Sequence, residues 1–168
     1  EIKIGTKNYL SYQQMQGGDY LTHKEVPEYV RRVGEKLVQQ SDTPELPFEF
    51  VVLNNSVPNA WALPGGKIAV NRGLLLELDN EAELAAVLGH EVVHSAARHG
   101  AQRMERGMLL QGSVTAAGIA TSAATDDPGY AAIAVGSVTL GANLINQKYG
   151  RDAEREADLY GMEYMARA

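Results

Sequence analysis

Apolar residues recur at Val30, Val33, Leu37 and Val38, the spacing of one helical face, and predict a helix over Pro27–Gln40. Ahead of it the chain is polar with scattered apolar positions. Only a short helix around Lys7–Gln16 is expected there, stopped by Gly17-Gly18. The Ser41–Pro47 stretch, carrying two prolines and two acids, ends the second helix. Phe48–Leu53 then reads as a strand bounded by Asn54-Asn55. Ala60–Leu63 and Lys67–Val70 read as two more, around a Pro64-Gly65-Gly66 turn. Everything after Leu74 has helical character. Strands first and helices afterwards predict an α+β fold, mostly helical with a small three-stranded sheet. The expected organisation is one domain over 1–168: N-terminal helices in 1–41, the sheet in 48–71 and the remaining helices in 79–168.

One of those helices differs in pattern from the rest. It starts near Asp79, where Asp79 or Asn80 can serve as N-cap and Glu81 and Glu83 suit the positive end of the helix dipole. Leu84, Val87, Leu88, Val92, Val93 and Ala97 cover almost every direction around its axis, down to about Arg98. A helix that is apolar all round is expected to be buried. His90, Glu91 and His94 inside it are then costly unless they have partners.

Composition narrows the chemistry. A chain of 168 residues with 45% apolar side chains has the size of one domain. It contains no cysteine, which removes disulfides, thiolate metal sites and cysteine nucleophiles together. The net charge of −6 and the lack of a basic stripe argue against a nucleic-acid surface. The first residue is Glu1, so any secretory leader is expected to have been removed already.

His90-Glu91-Val92-Val93-His94 forms an HExxH motif. Residues four apart on a helix differ by about 40° in direction, so both imidazoles project to one side, one turn apart. That placement suits two nitrogen ligands of one zinc ion. Glu91, about 100° away from His90, flanks the ion and can take a proton from an attacking water. A catalytic zinc needs a third protein ligand and an open fourth position. His99 lies five residues beyond His94, about 140° round a continuous helix, and is read as a solvent-facing or helix-end residue. The pattern with a third histidine breaks its helix at a glycine, but here that position is Ala97 and the place of the histidine is Gly100. His23 is read as a surface histidine.

The acids of Arg151–Asp158 offer a better third ligand. A helix there puts Glu154 and Asp158 one turn apart on a side shared with the small residues Ala157 and Gly161. Small residues permit close approach to another helix, which a solvated acidic helix does not require. Glu154 is therefore expected to complete the metal site, with Asp158 accepting a histidine N–H, that of His90. Glu156 is expected to point the opposite way, into water.

HEVVH followed 60 residues later by EREAD, Glu154–Asp158, resembles the HtpX and CAAX-prenyl-protease family of gluzincin metallopeptidases, and within it the soluble bacterial periplasmic, BepA-like branch. Asn59–Gly66 (NAWALPGG) resembles the family's NAFALPGG-like element, and Asn71–Leu75 its RGLL-like turn. The likeness covers about residues 48–165. It implies a zincin-like metallopeptidase domain with one Zn2+ per chain, held by His90, His94 and Glu154. It also implies that Asn59 and Ala60 lie on an edge strand of the cleft and hydrogen-bond an extended substrate as an added strand. Trp61 is read as core. Members of the family continue past the third ligand to a His-Pro element, so the resemblance implies truncation after Ala168. It further implies a bacterial periplasmic or envelope location, with envelope or outer-membrane protein partners.

Residues 109–147 are rich in alanine, glycine, serine and threonine, with Asp126 and Asp127 as their only charges. Their reading is a helical hairpin turning at Asp126–Gly129, and peripheral membrane contact through it is the alternative. The function expected is a zinc-dependent endopeptidase acting on proteins or unfolded polypeptides, with Glu91 as general base. The competing class is a latent or chaperone-like zinc-binding protein of envelope quality control.

Overall fold

The computed structural model describes residues 9–11, 13–125 and 127–168. Residues 9–11 and 13–15 are helical and Gly17 and Gly18 follow with φ of +88° and +73°, where the expected glycine stop lies. The Lys7, Asn8 and Tyr12 part of that expected helix lies outside the described residues, as does Asp126. Then come α1 (Glu25–Gln39), β1 (Glu49–Leu53), β2 (Ala60–Leu63), β3 (Lys67–Asn71), the single turn α2 (Arg72–Leu75), α3 (Glu81–Ala96), α4 (His99–Ala124) and α5 (Pro128–Arg167). The elements match the α+β expectation to within a residue or two at each end.

Two compact units are present, one of residues 1–100 with 155–168, the other of residues 101–154. The first holds the sheet, in the order β1-β3-β2, with β1 parallel and β2 antiparallel to β3. Gly65 and Gly66, at φ of +91° and +90°, make the turn between β2 and β3. Residues 18–20 line the outer side of β1: Tyr20 N–H donates to Val52 and Asn54 N–H to Gly18. One sheet edge is thereby covered, and among the described residues no strand pairs with the other edge, β2.

The core of this unit joins the α1 face predicted from sequence, Val30, Val33, Leu37 and Val38, to Phe50, Val52, Ile68 and Val70 of the sheet. Leu84, Leu88, Val92 and Val93 of α3 and Ala157 and Tyr164 of α5 complete it. The Asp42 N–H donates to the buried Tyr164 hydroxyl at 3.3 Å, and burial pushes the ionisation of that hydroxyl up. The α3 N-terminus is closed reciprocally. Asn80 accepts from Glu83 N–H at 3.1 Å, and the Glu83 carboxylate accepts from Asp79 N–H at 2.9 Å.

The expectation that α3 is buried all round is corrected. Leu84, Leu88, Gly89, Val92, Val93 and Ser95 are buried, but Ala86 is exposed and Val87, His90, Glu91 and His94 are only half-buried. Apolar residues on the open side line a cleft, which a periodicity argument cannot tell from core. Trp61 is likewise half-buried, edge-on to Tyr9 with ring centres 6.4 Å apart, and lies outside the core cluster.

The second unit holds most of α4 and the first part of α5, two helices that follow one another as the expected hairpin requires. Asp127 caps α5 by accepting from Gly129 N–H at 2.8 Å, with Pro128 at the first helical position. Ser113, Thr115, Thr121, Ser122, Ser137 and Thr139 each donate to a carbonyl one turn back. Their hydroxyls are thus satisfied within their own helices.

The packing of α3 against α5 generates a prediction. At their crossing an added Cβ on Gly89 would lie 2.9 Å from the Gly161 carbonyl oxygen, and one on Gly161 would lie 2.9 Å from His90 N. Helix propensity alone predicts that Gly161→Ala stabilises the protein by about 1 kcal/mol. The backbone approach reverses the sign, and a loss of about 1–3 kcal/mol is expected in urea denaturation.

Candidate active site

The HExxH motif lies on the last two turns of α3, with His90 and His94 one turn apart as expected. Their Nε2 atoms converge to 2.9 Å, with the rings edge to face and their centres 4.6 Å apart. Glu154 joins them, so that one donor atom from each of His90, His94 and Glu154 lies within 4.8 Å of the others. Two ligands on a tetrahedral zinc ion with bonds of about 2.0–2.1 Å stand roughly 3.3 Å apart, so the donor spacing is of the right order. Two neutral imidazole nitrogens and one carboxylate oxygen are also a donor type that zinc accepts. The residues present therefore fit the ion that the motif implies.

The far side of each imidazole is held as well. His90 Nδ1 stands 2.9 Å from Asp158 Oδ1, the pairing expected from the spacing of Glu154 and Asp158 along α5. His94 Nδ1 stands 2.9 Å from Nδ1 of His99. His99 in turn places Nε2 3.4 Å from Glu156 Oε2.

Two expectations are met in part by this arrangement. His99 is a helix-end residue, as the first residue of α4, but it does not face solvent, being only 7% exposed. Glu156 is exposed but does not simply point into water, since its carboxylate meets His99. The cause is the junction between α3 and α4. Arg98 adopts φ +59°, a left-handed conformation uncommon for a residue with a side chain, and the helical path ends there. The 140° argument assumed a continuous helix and fails at that residue. An isolated histidine is a weak sequence signal, and nothing in the residue types around Arg98 announces the turn. His23 is exposed, 3.4 Å from Glu25, as expected.

An open cleft of about 410 Å³ begins at the motif. It is lined by Asn59, Ala60, Leu74, Ala86, Val87, His90 and Glu91. Both residues expected to bind substrate thus share a concavity with the expected general base. Their backbones are not equivalent. The Asn59 carbonyl accepts from Asn71 N–H at 2.9 Å, so it is turned towards β3. Antiparallel alternation then turns the N–H and C=O of Ala60, opposite Val70, towards the free edge of β2.

The chain is also similar in sequence to known proteins. The chain is 34% identical over 146 residues to a putative beta-barrel assembly-enhancing protease of Vibrio cholerae, an alignment covering 84% of this chain and 29% of that one. It is 29% identical over 170 residues to the beta-barrel assembly-enhancing protease of Escherichia coli (strain K12), covering 93% and 34% of the two chains. With the mitochondrial metalloendopeptidase OMA1 of Schizosaccharomyces pombe it shares 33% identity over 140 residues, 83% of this chain and 39% of that one. The chain spans about a third of the length of these curated relatives. The sequence profile of Peptidase family M48 matches residues 25–168, and the chain belongs to that family.

Proposed function

We propose that this chain is a zinc-dependent endopeptidase domain that hydrolyses peptide bonds of proteins or unfolded polypeptides. The observation that carries the reading is the meeting of His90, His94 and Glu154 at one point, with Glu91 beside them on an open cleft. Zinc bound by those three residues, one ion per chain, supplies Lewis-acid polarisation of the scissile carbonyl and makes a water acidic enough to attack at neutral pH. Glu91 takes the proton released as the water oxygen bonds to the carbonyl carbon. It then gives that proton to the amide nitrogen as the C–N bond breaks, so one water is consumed and an amine and a carboxyl group are formed. Asp158 keeps His90 oriented by accepting its Nδ1–H.

Substrate enters, in this reading, as an extended strand beside β2. Its backbone pairs with Ala60, while Asn59 contributes its side chain at the mouth of the cleft. Main-chain recognition of this kind selects for extended, unfolded segments rather than for one sequence. A site that held zinc only for structure would have no use for Glu91, which disfavours the chaperone-like alternative.

The similarity to beta-barrel assembly-enhancing proteases supports envelope proteins as clients and a bacterial envelope location. The hairpin supports a peripheral membrane contact. Leu109, Ile119, Ile133, Leu140 and Leu144 are exposed on it, and α5 contains an unburied stretch long and apolar enough to cross a membrane, with mean hydropathy 1.3.

Two experiments test the proposal. Zinc-loaded protein is expected to cleave casein, and Glu91→Gln to lose about 10²–10⁴-fold in kcat while retaining zinc. Cleavage by both proteins alike contradicts Glu91 as general base. Glu154→Ala is expected to lose its zinc on dialysis against a mild chelator that leaves the wild type loaded. Full retention of the ion points to a different third ligand.

A further inference from the structure

Of the three histidines at the site, His99 is the one that the catalytic reading leaves without a task, and it is also the most buried of the chain's four. A buried imidazole is costly unless both ring nitrogens find partners. Here the partners are a candidate metal ligand on one side and a carboxylate on the other, at 2.9 and 3.4 Å. The His94 and His99 rings meet edge to face with centres 5.0 Å apart, so the contact is a directed one between nitrogens rather than a stack.

The contact is made at Nδ1 of His94, the nitrogen opposite the Nε2 that converges with His90. His99 therefore does not compete for the metal position. A neutral imidazole that ligates through Nε2 carries its proton on Nδ1. Nδ1–H of His94 then donates to Nδ1 of His99, which leaves the His99 proton on Nε2, facing Glu156. The donor–acceptor order is set at the His94–His99 contact, and the Glu156 carboxylate stands 3.4 Å beyond it as an electrostatic partner of His99.

We propose that His99, held by Glu156, is a positioning residue that fixes His94 in the tautomer and ring orientation needed to bind zinc through Nε2. The two ligating imidazoles are thus supported by different means. Asp158 holds His90 directly, whereas Glu156 holds His94 through an intervening imidazole. Acids 154, 156 and 158 of α5 thereby acquire three separate tasks: metal ligand, support of His99 and support of His90. The left-handed turn at Arg98 acquires a purpose too, because it places His99 as the first residue of α4, against His94.

The proposal rests on the zinc reading, and its test separates the two. Zinc dissociation constants are measured by competition with a chromogenic chelator for wild type, His99→Phe, His99→Asn and Glu156→Ala, alongside a His90→Ala/His94→Ala control. Wild type no tighter than the control overturns the zinc site itself. With wild-type binding established, His99→Phe, which keeps a ring but offers no acceptor, is expected to bind zinc about 10–100-fold more weakly. His99→Asn, whose side-chain carbonyl can accept from His94, is expected to recover most of that loss. The cobalt-substituted protein should show the same order in its visible ligand-field bands. A residue that only filled space would lower the melting temperature of the metal-free protein without this Phe-to-Asn difference in metal affinity. Wild-type zinc affinity in folded His99→Phe, or equal losses in the Phe and Asn variants, overturns the proposal. Should His99→Phe fail to fold, Glu156→Ala decides, since it removes the acceptor from a half-exposed position: weakened zinc binding supports the relay, and unchanged binding overturns it.

Discussion

The approach of α3 to α5 at Gly89 and Gly161 is the constraint on which the site depends. Two helices can come to backbone contact only where neither carries a side chain, and here each supplies a glycine at the crossing. His90 follows Gly89 directly, and Asp158 precedes Gly161 by less than one turn. The crossing therefore presents the imidazole to the carboxylate at 2.9 Å. Ala157, fully buried beside them, is small for the same reason. A wider crossing would move the acids of α5 away from the histidines of α3, and a difference of 1 Å in such a site is large.

The sheet contributes the other half of the site. Its β1 edge is covered by residues 18–20, which leaves the β2 edge as the place where a further strand can add. Asn59 and Ala60 share one cleft with His90 and Glu91, so the edge that can bind an extended backbone lies beside the group expected to move the proton. Binding and chemistry are thus contributed by different elements. An open side on α3 is needed for both, and this is why a helix with so many apolar residues is not buried all round.

Most of this was legible from short-range patterns. The helical stripe of α1, the Pro64-Gly65-Gly66 turn, the cap at Asn80 and the i, i+4 pairs His90/His94 and Glu154/Asp158 all express local geometry, and local geometry survives folding. The pairing of β1 with β3 and the coverage of its outer edge were not legible, since long-range pairing leaves no periodic trace. The contact between His99 and Glu156 was not legible for a related reason. Their meeting depends on one residue, Arg98, taking a conformation that its side chain disfavours, and no composition rule anticipates this. Trp61 was misplaced because hydrophobicity alone does not distinguish a core position from the partly covered face of an edge strand.

The most direct test of this account is the structure of the zinc-loaded protein, with the ion located by anomalous scattering at the zinc edge. The account predicts one ion bound by Nε2 of His90, Nε2 of His94 and a Glu154 oxygen at about 2.0–2.2 Å, with the fourth position open to the cleft. An ion bound by His99, an ion closed off by a fourth protein side chain, or a Glu154 carboxylate turned away from it would contradict the account.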